Sequence, residues 1–477
     1  MRHSLVALAV LTACGGDDQA RVQIELEVPA DDVGGALLGD LDALEFSVSD
    51  GQDFRASRLY PLEDGLPDRL NLDDVPTGND ILFHLSGSAS NAEVAYGRTC
   101  RVSVDDGDQP IDERLYFARA GSFRDGAAPL EPDRSLGVMF ADDRGSAVVA
   151  GGAGRVVELF DPRLGTFDEV GEMAVSRSGG AVAVRDDGTA IIAGGVDGDG
   201  GLVGVVEEIA ATSGEPIRQV GPDQQEAAQK SGLALVALPD RGILLSGGRT
   251  AAGFIVPDVV VLKAGDDQFR GAGALAIERE RHTASVGLGG VVYLIGGLTR
   301  DEAESLDVAT GTIELYRPQD QSVRTLAAEL AVPRYGHTAT VLADGRILIV
   351  GGLTPDPICA EPPCAVAEVE IFDPIVGETR SADDIPGGIY QHTATLIAGG
   401  RVLITGGVDE GGALRGDAYL FDPEVEALVP TRSLGRPRAE HTAAELCDGT
   451  VLLVGGVSED GTPLPAERYN PASRAIP

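Results

Sequence analysis

Residues 334–352 read RYGHTATVLADGRILIVGG: apolar and polar positions alternate, the pattern breaks at Asp344-Gly345, and a second apolar run stops at Gly351-Gly352. Alternation is the period of a half-buried strand. Asp-Gly between two such runs is a strong hairpin signal, because a type I′ turn needs positive φ at both central residues. The stretch therefore predicts two strands joined at Asp344-Gly345 and ended by the diglycine.

A diglycine closes an apolar strand seven times, at Gly151-Gly152, Gly194-Gly195, Gly247-Gly248, Gly296-Gly297, Gly351-Gly352, Gly406-Gly407 and Gly455-Gly456. Between first glycines the intervals are 43, 53, 49, 55, 55 and 49 residues. The hairpin signal recurs as Asp187-Gly188, Gly289-Gly290, Gly399-Gly400 and Asp448-Gly449, with longer Asp-Arg-Gly forms at 143–145 and 240–242. After a variable loop, a third strand ends in an aromatic-Asx-Pro motif or a relative of it: Phe160-Asp161-Pro162, Tyr316-Arg317-Pro318, Phe372-Asp373-Pro374, Phe421-Asp422-Pro423 and Tyr469-Asn470-Pro471. Repeats two and three lack it. A period of about 50 residues with room for four strands predicts an array of propeller blades.

These residues resemble the kelch repeat family over 134–477. The resemblance implies an all-β fold, a seven-bladed kelch-like β-propeller. Kelch units usually carry a Trp in the fourth strand, whereas this chain has none, so the fourth strands stay unassigned. The last repeat stops soon after its third strand, so ring closure is expected to borrow a strand from before Arg134, with 114–119 as candidate.

Residues 21–123 hold short alternating segments separated by turn clusters, which predicts a small β-sandwich domain ahead of the propeller. It is similar to the immunoglobulin-like or transthyretin-like modules of exported bacterial proteins, and its expected role is a spacer. Residues 124–133 read as a linker.

The chain starts with Met1-Arg2-His3, an apolar run, and Leu11-Thr12-Ala13-Cys14. This resembles a bacterial lipobox: 1–13 as signal peptide, Cys14 as the acylated residue and 14–20 as a tether, against an ordinary secretory signal with an incidental cysteine. The expectation is a cell-envelope protein, at the outer membrane or cell surface, held by lipid alone. Of the other cysteines, Cys359 and Cys364 share a Pro-rich loop and are expected to form a local disulfide; Cys100 and Cys447 either pair across domains or remain thiols.

Charge narrows the partners. With 76 acidic and 37 basic residues, the net charge is −39, and such a surface repels nucleic acid and anionic lipid.

Four of six histidines, His282, His337, His392 and His441, stand fourteen residues before a first glycine, each followed by Thr. Rotated around a ring, they would not converge on one metal ion, and the expected role is to satisfy backbone groups between blades. Three residues earlier stand Arg134, Arg177, Lys230, Arg279, Arg334 and Arg438, with Ile389 in the remaining repeat. Such a ring would sit at the mouth of the central channel, and two roles fit it. Each cation pairs with a carboxylate of the neighbouring blade, or the ring forms a pocket for an anion or acidic peptide. Tyr335 and Tyr390 add candidate contact aromatics on the same rim, and the loops after the diglycines are acidic and variable.

No GxSxG, GxxxxGK or HExxH pattern accompanies the repeats. Galactose oxidase uses a kelch-type propeller with copper held by His and Tyr, but no residue here maps onto those ligands. The sequence thus predicts no catalytic residue, metal or cofactor, and a lipid-anchored protein- or glycan-binding module. The alternative is a propeller enzyme of the galactose-oxidase or carbohydrate-active type.

Overall fold

The computed structural model describes residues 5–10, 22–29, 37–50, 54–62, 77–105, 111–141, 145–210, 218–221, 225–301, 303, 306–355 and 363–472. The N-terminal part is built from two sheets. In one, Val22–Glu27 runs parallel to Ile111–Tyr116. In the other, Phe54–Pro61, Ala43–Ser49, Gly78–Ala89, Ala92–Arg98 and Ala118–Arg119 lie in that order, with Val102–Val104 also on Gly78–Ala89. Alternate residues of both sheets, among them Ile24, Leu26, Phe46, Phe83, Leu85 and Phe117, share one core. Ala92–Arg98 and Val102–Val104 are separated by Thr99 and Cys100. There Thr99 Oγ1 accepts the Phe83 N–H at 3.1 Å, and Cys100 is bonded to Cys447. Leu5–Val10, the apolar part of the expected targeting segment, lies as a strand antiparallel to Val22–Glu27. Cys14 falls outside the described residues.

The remainder forms seven four-stranded antiparallel sheets and two short two-stranded pairs in loops; six of the seven sheets take their strands in chain order, and the seventh ends in a strand from earlier in the chain. The first strands are Val138–Ala141, Ala181–Val184, Ala234–Ala237, Thr283–Val286, Thr338–Val341, Thr393–Leu396 and Thr442–Glu445. Each lies against the next, and the seventh lies against the first. The second strands, such as Ile347–Val350 and Val451–Val454, are buried throughout except at Thr189, because neighbouring sheets cover both faces. They therefore read as continuous apolar runs rather than alternating ones. Each pair of neighbouring sheets shares an apolar core, the seventh and first included. The aromatics of the third-strand motif fill those cores: Phe160, Tyr316, Phe372, Phe421 and Tyr469 are all buried, each packed toward the preceding sheet. They supply much of the bulk of those cores.

The seventh sheet closes with a borrowed strand, as expected, but from a different segment. Ser122–Asp125 pairs with Glu467–Asn470, in the register Ser122↔Asn470 to Asp125↔Glu467. Residues 114–119 are taken by the N-terminal part, where Ile111–Tyr116 pairs with Val22–Glu27 and Ala118–Arg119 with Ala92–Arg98. The strand straddles the expected boundary at 123/124, so the chain enters the ring without a free linker.

The Asp344-Gly345 hairpin forms with a different turn. Gly345 N–H donates to Leu342 O at 2.9 Å, and only Gly345, at φ 87°, is left-handed. This is a type I turn closed by a left-handed glycine rather than type I′. The Asp344 side chain accepts the Arg346 N–H at 3.0 Å, which holds the turn.

Candidate binding face

The predicted ring of cations is present, but it is not exposed. Arg134, Arg177, Arg279, Arg334 and Arg438 are among the most deeply buried side chains of the protein. Each pairs with a glutamate on the third strand of its own sheet: Arg134 with Glu158, Arg177 with Glu207 (2.7 Å), Arg279 with Glu314 (2.6 Å), Arg334 with Glu370 (2.5 Å) and Arg438 with Glu467 (2.6 Å). A second guanidinium nitrogen donates to the first glycine of the same sheet, from 2.8 Å at Gly296 to 3.3 Å at Gly351. The carboxylates also accept backbone N–H groups of the segment leading into the first strand, such as those of Ala331 (2.8 Å) and Val332 (3.4 Å) on Glu370. Burial lowers the pKa of Arg177, Arg279, Arg334 and Arg438, and each paired glutamate opposes that. Both sequence-based roles are thus corrected. The arginines have no exposed surface for a ligand, and they clasp their own sheet rather than the neighbouring one.

The clasp behaves as a unit. In the strand ladders each glutamate faces the residue two before a first glycine: Val149↔Glu158, Ile192↔Glu207, Leu294↔Glu314, Ile349↔Glu370 and Leu453↔Glu467. Sheets three and six place Val260 and Tyr419 at that position, opposite Leu245 and Ile404. These are the two sheets without the arginine. Sheet three uses Lys230, which reaches instead to Asp258 at 2.7 Å. Sheet six has Ile389, and there Arg415 enters from the loop side, donating to Gly388 O (2.9 Å) and pairing with Asp417 (2.8 Å). Where the cation changes, the anion changes too, as expected when an unpaired buried charge costs several kcal/mol.

The histidines join neighbouring sheets through hydroxyls. Nε2 of His337, His392 and His441 meets Thr283 (3.1 Å), Thr338 (3.0 Å) and Thr393 (3.0 Å) of the preceding sheet. Sheet three has Ala234 where sheets four, five and six have this threonine, and His282 uses Ser246, which faces Ala234 in the ladder, at 2.9 Å. Burial lowers all four pKa values, to about 3 for His337 and His392. The imidazoles are neutral framework groups. Among the described residues, no group of three His, Cys, Asp or Glu residues is arranged to hold a metal ion.

The mouth of the ring is lined two residues after the cation. Leu136, Gly179, Gly232, Arg281, Gly336, Gln391 and Glu440 all have positive φ, between 51° and 67°. Backbone hydrogen bonds join neighbours at five of the seven steps: Leu136 N–H donates to Glu440 O (2.9 Å), Gly179 to Leu136 (2.9 Å), Arg281 to Gly232 (2.7 Å), Gly336 to Arg281 (2.9 Å) and Glu440 to Gln391 (3.1 Å). Three positions carry the glycine this backbone favours. The other four bear side chains at a cost of about 1 kcal/mol each. Sequence reasoning missed this collar, although Gly179, Gly232 and Gly336 share one offset from the diglycines. Tyr335, beside it, is buried with Arg281 over its ring at 5.9 Å; Tyr390 stays partly exposed.

Around the collar stand the loops that follow the diglycines. Phe254, 70% exposed, tips the loop of sheet three. Arg249 in that loop binds Glu280 and Asp307 of the next repeat, both at 2.7 Å, Asp307 lying in the short pair formed by Leu298–Asp301 and Leu306–Ala309. Asp197 and Asp409 turn their carboxylates onto N–H groups of their own loops, at 2.7 Å to Gly201 and 2.9 Å to Ala413.

The opposite face, bearing the hairpin turns, is occupied near sheets seven and one. Cys447, in a hairpin turn, is bonded to Cys100 of the N-terminal part across 347 residues of chain. Arg468 lies 4.0 Å from the centre of the Tyr116 ring and pairs with Asp448. The Asn470 amide donates to Tyr96 O and Ala118 O, both at 2.8 Å. Cys364 is also disulfide-bonded, and Cys359, its expected partner, lies outside the described residues. A disulfide between distant elements suits an oxidising compartment. No helix among the described residues is long and apolar enough to cross a membrane. No protein-family model matches this chain, and no curated protein is significantly similar to it.

Proposed function

We propose that the seven sheets are the blades of a kelch-like β-propeller that serves as a protein-binding module in an exported, lipid-anchored chain. The observation that carries the reading is the division of the two faces. The N-terminal part is fixed to the hairpin-turn face by Cys100–Cys447, Arg468 and Asn470. Val22, toward the chain start, lies at the far end of the strand whose other end, through Tyr116, meets Arg468. Anchoring through Cys14 would turn the loop face outward. Loops of unequal length on a rigid frame are where recognition is expected. The histidines and buried arginines are engaged within the frame, which leaves the loops and the collar as the variable part.

Capture from envelope extracts by the full chain tests this. Replacing loop residues 250–254 and 409–413 by short glycine turns should abolish capture of the specific species, while changing exposed Leu288 and Leu396 on the opposite face should not. Capture that survives the loop changes would overturn the reading. Acylation is tested separately: palmitate label should disappear in Cys14→Ala.

A further inference from the structure

The collar holds two charged side chains, Arg281, whose guanidinium lies over the Tyr335 ring at 5.9 Å, and Glu440. Arg281 is exposed, and its neighbour Glu280 is committed to Arg249, as is Asp307. Glu440 accepts a hydrogen bond from Gln391 Nε2 at 2.7 Å. Among the described residues neither Arg281 nor Glu440 forms an ion pair. They stand in sheets four and seven, three steps apart one way and four the other, so they occupy opposite sides of the mouth. Seven neighbours, hydrogen-bonded at five of their seven steps and taken as about 4.8 Å apart, enclose a ring roughly 10 Å across.

Arg281 is flanked by Gly232 and Gly336. A Cβ at Gly232 would stand 3.0 Å from Arg281 Cγ, so that glycine makes room for the arginine stem, and a Cβ at Gly336 would meet nothing within 4 Å. Both charged residues sit at left-handed positions where glycine would be less strained. Side chains kept in that backbone, with no ion-pair partner among the described residues and set on opposite sides of the collar, are poor devices for stability and suitable ones for recognition. We propose that the collar binds a polypeptide segment presenting one acidic and one basic side chain, the carboxylate on Arg281 and the ammonium on Glu440. This rests on the loop face being a protein-binding surface and names the chemistry of its partner. Burial, reinforced by Asp133, raises the pKa of Glu440, so an arriving ammonium offsets surroundings that disfavour the carboxylate charge. Gln391 fixes the carboxylate in place for it.

The test uses the full chain and labelled tetrapeptides followed by fluorescence anisotropy. Acetyl-Lys-Gly-Gly-Glu-amide should bind, and its analogue with Gln at both ends should bind about five-fold more weakly or worse. R281E and E440R should each lose binding to a similar degree. The exchange R281E/E440R should recover most of it, because the peptide's charges only trade sides. Arg281→Gly supplies a second reading: it should lose peptide binding while raising the melting temperature, whereas a purely structural arginine would lower it. Equal binding of the neutral peptide, or no recovery in a folded exchange variant, overturns the proposal. Capture by the loop face is scored independently, so a partner that binds R281E/E440R and each single variant alike refutes the collar and leaves the protein-binding reading standing.

Discussion

The imidazole of His392 stands against Gly351 of the preceding sheet: a Cβ on that glycine would lie 2.7 Å from His392 Cε1 and closer still to the Ile389 carbonyl oxygen. The same contact joins Gly247 to His282 (2.8 Å), Gly296 to His337 (2.8 Å) and Gly406 to His441 (2.7 Å). The diglycine and the histidine, fourteen residues apart within a repeat, are thus two sides of one joint between adjacent sheets. Gly351→Ala adds a clash to a residue at φ 61°. It should cost about 2–4 kcal/mol, read as a lowered urea midpoint. A shift no larger than that of an exposed substitution such as Ile375→Ala would show that the joint yields.

The Arg–Glu clasp makes a sharper prediction, because sheet six already displays its replacement. Arg334→Met should leave Glu370 buried without a cation, and Glu370→Gln should do the converse to Arg334, each at about 3–5 kcal/mol. The double change R334I/E370Y, which copies Ile389 and Tyr419, should cost less than either single change. A double-mutant cycle on thermal midpoints measures this. Additive losses would mean that the two residues contribute independently and that the clasp is not a unit.

The repeat was legible because each of its signals is a local backbone demand: the diglycine, the Asp-Gly turn and the aromatic-Asx-Pro turn repeat whatever the loops between them do. The clasp was not, since its partners lie 24, 30, 35, 36 and 29 residues apart across loops of unequal length. Alignment on the aromatic instead of the diglycine exposes it, as Glu158-Leu-Phe160, Glu314-Leu-Tyr316, Glu370-Ile-Phe372 and Glu467-Arg-Tyr469, with Tyr419-Leu-Phe421 in sheet six. Burial was the other missing quantity. A periodic arginine reads alike on a rim and inside a sheet, and only the glutamate opposite it decides between them.

Acid should weaken the protein through its histidines. In an unfolded chain histidine titrates near 6.5, whereas His337 and His392 are lowered to about 3 and His84, held between Ser49 (2.8 Å) and Tyr96 (2.6 Å), to about 4. Below about 6.5 the unfolded chain binds protons that the folded one refuses, so stability is fully present above that pH and falls as pH drops toward the folded values. Each histidine contributes up to about 1.4 kcal/mol per pH unit in that interval. With a net charge of −39, protonation of carboxylates at lower pH relieves self-repulsion and works the other way. The clean window is therefore about pH 7.5 to 5.5. The urea midpoint should fall across it, and His392→Gln should make the fall shallower. A flat profile in the parent protein would contradict burial of neutral imidazoles.

The two ends of the ring are held by one strand pairing and one covalent bond. Ser122–Asp125 pairs with Glu467–Asn470, and just before that strand the N-terminal part is fixed to the same sheet by Cys100–Cys447. Opening the seventh sheet therefore requires the last three strands to part from Ser122–Asp125 and the N-terminal part to leave Asn470 and Arg468 as well. Reduction removes only the covalent restraint. Because the bond closes a loop of 347 residues, its loss should cost about 2–5 kcal/mol, chiefly by freeing the unfolded chain. The paired variant C100S/C447S should show the same lowered midpoint without reductant and no further drop when reductant is added, apart from any contribution of the Cys364 disulfide. Limited proteolysis separates local opening from global loss. If the seventh sheet is the weak joint, the first cuts in the paired variant should fall around residues 120–130 and beyond residue 456. Cuts spread evenly over all seven sheets would place the weak point elsewhere.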